Sequence, residues 1–246
     1  MFSFFSKKKP SSTTYLGMLQ TDMHSHLLPG IDDGAPDIDS SVALIKGMML
    51  LGYSRLITTP HIMSDMYPNT HEIIGQKLNE LNNALVERGI EMKVHAAAEY
   101  FLDENVERLL KTKTPLLTLS KNMVLTEFSL AFEPHGLKDI LFEMQMQGYL
   151  PVIAHPERYI YQMRNKAFFD ELKDAGYYFQ LNILSLTGYY GKGVQELAQY
   201  LIKKGYYDLI GSDLHGERHL KALQNPQLEK QIGKLMETGK ILNPEL

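Results

Sequence analysis

The chain contains no cysteine. It therefore forms no disulfide, offers no thiolate to a metal and cannot use a cysteinyl-phosphate route. Basic residues are in the minority, 25 Lys and Arg against 29 Asp and Glu, for a net charge of -4. That argues against general nucleic-acid binding, which leaves a basic footprint. No stretch approaches the roughly 18 consecutive apolar residues of a membrane span. The opening "MFSFFSKKKPSSTT" places its lysines after its aromatics and lacks a long apolar core, so it does not read as an ordinary signal peptide. Residues 1–14 are expected to be a flexible tail, with contact to an anionic membrane surface or a partner as the alternative. A cytoplasmic setting is expected. The 246-residue chain is 44% hydrophobic, and after this tail it shows no repeats or composition shifts and reads as one domain over 15–246.

Short apolar runs alternate with longer segments of helical spacing. "LGMLQTDM", "SRLITT", "EMKVHAAA", "NMVLT", "YLPVIA", "YYFQLN" and "YDLIGS" read as strands. Helices are expected over 39–52, with Asp39 or Ser40 as N-cap, and over 70–89, 104–111, 136–148, 165–175, 193–204 and 226–239. Such alternation implies right-handed crossovers and a mainly parallel sheet. Seven strands suit a closed barrel better than an open sheet.

The stretch "TDMHSHLLPGIDDGAPD" spends two of the nine histidines and four aspartates within residues 21–37. In an extended chain, residues i and i+2 share a side, so His24 and His26 aim at one point. Later strand ends supply His61, then Glu99, Glu127, His155 with Arg158, Asn182, and Asp213 with His215. Parallel α/β barrels gather their working residues at these ends. Six of seven ends carrying an imidazole or carboxylate is a pattern that helix capping does not explain, and it points to metal. Asp33, Glu99, Glu127 and Asp213 would repel one another without cations. Three divalent cations against these four negatives leave a local +2, suited to a phosphate dianion. Histidine and carboxylate ligands without thiolate fit Mn, Fe or Zn. Asp32 competes with Asp33 as a ligand, and Asp22 is expected to support a ligand histidine. His71 is expected to start a helix, and His95 to lie about 13 Å back along its strand. His135 is expected to start a helix and His219 to lie on the surface. Tyr159, Tyr161, Tyr189 and Tyr190 are candidates to line the substrate mouth.

"DMHSHLLPGIDDG", "TTPH", "AAAEY", "LTEF", "AHPERY" and "GSDLH" together resemble the motifs of the PHP (polymerase and histidinol phosphatase) superfamily. The match is best to its bacterial capsular-polysaccharide tyrosine-phosphatase branch, over residues 19 to 216. The resemblance implies a distorted (β/α)7 barrel with three metals, usually Mn²⁺. It assigns His24, His26, Glu99 and Asp213 to the first metal. Glu99, Glu127 and His155 would hold the second, and Asp33, His61 and His215 the third. Arg158 would grip the phosphoryl group. Many PHP relatives have histidine where Glu127 stands, a departure that favours the capsular branch. Arg218 in "HGERH" is a further phosphate-binding candidate, at a spacing that departs from the family pattern.

The implied reaction is hydrolysis of a phosphomonoester by metal-held hydroxide attacking phosphorus in line. The implied substrate is phosphotyrosine on the tail of a polysaccharide-assembly kinase. Rival readings are a histidinol phosphatase or other small phosphomonoesterase, a metal amidohydrolase, and a non-catalytic metal-stabilised protein that binds the kinase.

Overall fold

The computed structural model describes residues 15–246, so the tail expected over 1–14 lies outside the described residues. The chain opens with α1 (Tyr15–Met18), β1 (Thr21–Asp22), α2 (Ile38–Leu50), β2 (Arg55–Thr58), β3 (His61–Ile62) and α3 (His71–Glu87). Then come β4 (Lys93–Ala96), β5 (Glu99–Phe101), α4 (Glu104–Lys111), β6 (Met123–Glu127), α5 (Leu137–Met146) and β7 (Leu150–Ala154). The series ends with α6 (Ala167–Asp174), β8 (Tyr178–Asn182), α7 (Lys192–Lys204), β9 (Leu209–Gly211), α8 (Glu217–Leu223) and α9 (Pro226–Met236). All strand pairs are parallel, in the orders β1-β2-β4 and β3-β5-β6-β7-β8-β9.

Two expected strands are each split. Pro60 has no N–H to continue a ladder, so "SRLITTPHI" pairs as β2, breaks, and resumes as β3. The partner breaks alongside it, at Ala97 and Ala98 between β4 and β5. The two sheets stay joined across the break, where Ala97 N–H donates to the Thr58 carbonyl at 2.9 Å and Glu99 N–H to that of Pro60 at 3.1 Å. "LGMLQTDM", expected as one strand, is instead α1, a left-handed residue at Gln20 (φ 58°), and the short β1. Leu16 and Leu19, three apart, are both buried, as one helical face requires.

At the other edge, β1 and β9 approach each other. Asp22 accepts from Ser212 N–H and Ser212 Oγ, both at 2.8 Å, and Ser25 and Leu214 form a parallel bridge. The helices cap where their side chains can reach. Asp37 receives Ser40 N–H at 2.8 Å and caps α2, ahead of both expected positions, Asp39 and Ser40, while Thr70 caps α3 and Asp103 caps α4. Burial separates two clusters. The larger packs helices on strands. The smaller contains Met23, Ile57, Ala97, Leu125, Val152, Ala154 and Leu209, drawn from successive strands or the residues just after them. Leu125 and Glu127 lie two apart on β6 and so share a side. The small apolar cluster thus floors the acidic site above it.

Candidate metal centre

The segment after β1 is held on both sides. Thr59 N–H donates to the Ser25 carbonyl at 2.7 Å, Asp213 N–H to that of His24 at 2.8 Å, and His26 N–H to that of Leu214 at 2.9 Å. This keeps the chain extended, and His24 and His26 bring their Nε2 atoms within 3.4 Å, as the i, i+2 spacing predicts. The chain then turns back beneath His26, where a Cβ on Gly34 would stand 2.2 Å from the His26 carbonyl oxygen. Only glycine fits there.

Glu99, at the start of β5, is buried with no hydrogen-bond donor to either carboxylate oxygen. Imidazole nitrogens surround it: His24 Nε2, His61 Nδ1 and His155 Nε2 at 3.2 Å, and His26 Nε2 at 3.5 Å. The other ring nitrogens explain the arrangement. His24 Nδ1–H donates to Gln180 Oε1 at 2.9 Å, His26 Nδ1–H to Asp32 Oδ2 at 2.8 Å, and His215 Nδ1–H to the Asp213 carbonyl at 2.9 Å. Each bond places a hydrogen on Nδ1, so Nε2 is the atom that presents a lone pair when the ring is neutral. These Nε2 atoms thus face a buried carboxylate, and divalent cations, by displacing the second ring proton, fit the space between them.

The nine candidate ligands fall into overlapping groups, with the atoms of each group within 4.8 Å of one another. The groups are His26, Asp33, His61 and His215; His24, His26 and Asp213; His24, Glu99 and His155; and His61, Glu99 and Glu127. His24, His26, His61 and Glu99 each belong to two groups, so the geometry is more entangled than three separate triads. Asp32 and Asp33 divide clearly. Asp32 accepts from His26, from His61 N–H at 3.2 Å and from Gly34 N–H at 3.0 Å, which commits it to support. Asp33 is the half-exposed one, 3.3 Å from His61 Nε2 and 3.5 Å from His215 Nε2.

The electrostatics follow from this crowding. Burial would lower the His24 imidazole, but Glu99 and Asp213 outweigh it and push it up to about 10. Against the same opposing burial, Asp33, Glu99 and Glu127 raise His61 to about 9, and Asp213 and Asp33 raise His215 to about 9. Burial and the neighbouring Glu99 charge push Glu127 up to about 8. Burial and the Arg158 charge hold His155 down at about 4. Hydrogen bonds from His215 and His61 hold Asp33 well below the usual carboxylate range.

The centre opens into a cavity of about 460 Å³ whose lining includes Asp33, His61, Glu99, Glu127, Arg158 and His215. Arg158 follows β7 and donates to Asp213 Oδ2 at 3.1 Å, with its guanidinium 4.8 Å from the centre of the Tyr190 ring. Asn182 donates to the same Asp213 oxygen at 2.8 Å and to Tyr190 Oη at 3.2 Å.

Residues 20–239 match the family described as capsular polysaccharide synthesis, CpsB/CapC. The chain belongs to this family. It is 29% identical to the tyrosine-protein phosphatase YwqE of Bacillus subtilis over 194 residues, 79% of this chain and 76% of that protein. It is 28% identical to the tyrosine-protein phosphatase CpsB of Streptococcus pneumoniae over 200 residues, 79% and 82% of the two chains. A crystal structure from the study of YwqE and CpsB, called unique metal-dependent tyrosine phosphatases, matches with a TM-score of 0.76 at 26% identity. That match covers 91% of this chain and 94% of the other.

Several side chains of this CpsB/CapC chain sit elsewhere than expected. Asp22 bonds to Ser212 rather than to a ligand histidine, and Gln180 takes the supporting role at His24. Gln180 has the parity of Asn182 on β8, which was the available signal. Tyr159 is buried against Phe128, with ring centres 3.8 Å apart, so it belongs to the core rather than the mouth. Tyr161 donates to the Ser129 carbonyl at 3.0 Å, while Tyr190 lines the cavity. His71 opens α3 and meets Tyr100 Oη at 3.1 Å, and His95 and His135 are exposed. Arg218 is exposed on α8. Its neighbour His219, expected on the surface, is the one that lines the cavity.

Proposed function

We propose that this chain is a metal-dependent phosphotyrosine-protein phosphatase of capsular or exopolysaccharide assembly, acting without cysteine. The observation that carries the reading is Glu99: a buried carboxylate with no hydrogen-bond donor, ringed by four imidazole nitrogens within 3.5 Å. Three divalent cations, Mn²⁺ in the first place and Fe or Zn as alternatives, suit this oxygen and imidazole donor set. His24, His26, Glu99 and Asp213 would hold one, Glu99, Glu127 and His155 a second, and Asp33, His61 and His215 a third. When bound, the cations supply Lewis acidity toward a phosphoryl group and activate water.

The chain's own residues do the rest. Arg158 supplies a fixed cationic donor for a phosphoryl oxygen, oriented by Asp213 and by the Tyr190 ring. Asn182 holds both of those partners. Met63, Met66, Tyr67, Phe101 and Leu130 line the same cavity. That apolar wall suits an aryl phosphate better than the polar histidinol phosphate. A phenolate also leaves readily, which reduces the demand for a general acid.

The seven strand segments, counting β2 with β3 and β4 with β5, are inferred to close as a distorted (β/α)7 barrel. The small apolar cluster drawn from them and the β1–β9 contacts support closure. Residues 15–246 would then be one metallophosphatase domain. The tyrosine-rich tail of a polysaccharide-assembly kinase is the proposed partner, on the strength of family membership. No described helix is long and apolar enough to cross a membrane, and the cytoplasmic setting is part of the same proposal. The test is turnover of a phosphotyrosine peptide beside histidinol phosphate, with metal analysis of the same preparation. Faster hydrolysis of the peptide is expected. Preference for histidinol phosphate would overturn the substrate assignment.

A further inference from the structure

The first turn of α8 brings His219 against the centre. Its ring lines the cavity together with Arg158, Tyr190 and His215. Its Nδ1 accepts the backbone N–H of His215 at 3.2 Å. A ring nitrogen that accepts carries no proton, so the neutral imidazole keeps its hydrogen on Nε2. Three rings meet it edge-on and fix its plane: Tyr189 at 5.3 Å, His215 at 5.5 Å and Tyr190 at 6.5 Å between centres. Tyr190 also carries Arg158 on its face. One aromatic wall therefore orients both a guanidinium and an imidazole on the same cavity.

We propose that His219 is a second donor to the substrate phosphate, its Nε2–H binding a phosphoryl oxygen beside the one held by Arg158. The inference rests on the phosphatase reading. It assigns His219 to the substrate and not to a cation, because Nδ1 is already occupied and the hydrogen on Nε2 blocks that atom as a metal ligand.

Two substitutions separate this role from simple support of His215. In His219→Asn the amide oxygen takes the place of Nδ1 as acceptor, and nothing replaces Nε2–H. In His219→Gln the longer amide brings an N–H donor to the position of Nε2. Both variants and the unsubstituted protein are loaded with Mn²⁺, assayed for metal content, and titrated with inorganic phosphate by calorimetry. All three should hold equal metal. His219→Asn should bind phosphate roughly 10- to 100-fold more weakly, the usual effect of losing a hydrogen bond to a charged group, and His219→Gln should recover most of that loss. KM for a phosphotyrosine peptide should follow the same order. Unchanged phosphate affinity in His219→Asn, or loss of metal in both variants, would overturn the proposal and leave His219 as a prop for His215. Peptide turnover by the unsubstituted protein is read separately. Its absence alongside normal phosphate binding would strike the phosphatase reading, while the Asn and Gln comparison would still decide the role of His219.

Discussion

Glu99 and Arg158 do different work on the same cavity, and substitution separates them. Glu99 contacts four imidazoles that belong to more than one ligand group. Its removal deletes a negative charge and a shared candidate ligand, which would leave neutral rings to hold cations with too little countercharge. Glu99→Ala should lower metal content at two positions and abolish nearly all turnover, and His215→Ala should empty one. His71→Ala should change neither quantity, since that ring meets Tyr100. Metal content per chain, measured under identical loading, checks all three. Arg158 instead touches the candidate ligand Asp213 through its guanidinium. Arg158→Ala should keep the metals and lose roughly 10² to 10³ in turnover, the scale of removing one transition-state donor. Near-normal kinetics would show that another group grips the phosphate. The sequence singles out the candidate ligands because most sit at or just after an expected strand end, where parity and position say where a side chain points. Asn182 stands at a strand end there without its partners, and neither Gln180 nor His219 is marked as part of the site. Their partners lie at Asp213, His215, Tyr190 and His24, and only the folded chain brings those close.

At the scale of elements, the strand ends are built for side-chain aim at some cost in backbone ease. His155 and Asp213 both adopt left-handed backbone conformations, at φ 33° and 51°. Such conformations are uncommon for residues with a side chain and gather at functional sites. They turn the imidazole and carboxylate inward just as β7 and β9 end. Gly211 shows how tight the fit is, for a Cβ there would stand 2.6 Å from His24 Cβ and 2.8 Å from Gln180 Nε2. Gly211→Ala should therefore destabilise the protein by about 1–3 kcal/mol, as overpacking does, and shift the ring that Gln180 orients. Denaturant unfolding and metal content should both register the change. An unaffected variant would mean that β9 can move aside freely. The strand and helix series was legible from periodicity, and most spans agree to within a few residues. Helix α8 is not among the expected elements, and the other exceptions have local causes. Pro60 interrupts a ladder that its apolar neighbours continue, and α1 draws on Leu16 and Leu19 in a stretch too short to separate the two periods.

Over the whole molecule, metal and fold are coupled through charge. In the metal-free protein His24, His61 and His215 titrate near 10, 9 and 9, above the ordinary histidine value. Groups raised in this way stabilise the fold fully below pH 6.5 and lose that contribution as pH climbs through their folded values. Glu127, raised to about 8, acts in the same direction, losing its contribution as pH rises from the ordinary carboxylate range toward 8. The Tm of chelated protein should therefore fall between pH 7 and 9.5. Metal-loaded protein, with these groups already deprotonated, should show a much flatter profile over that window. Equal profiles would mean that the cations bind elsewhere. Loading at pH 7 should also release about four protons per chain, from His24, His61, His215 and Glu127, readable by calorimetry in buffers of different ionisation enthalpy.

The most direct test is phosphate release from a phosphotyrosine peptide by one preparation in three states: as purified, after exhaustive chelation, and after reloading with Mn²⁺. The account predicts turnover in the first state, none in the second and recovery in the third, with thiol alkylation without effect on a chain that has no cysteine. Sustained turnover by protein shown to be free of metal would contradict it.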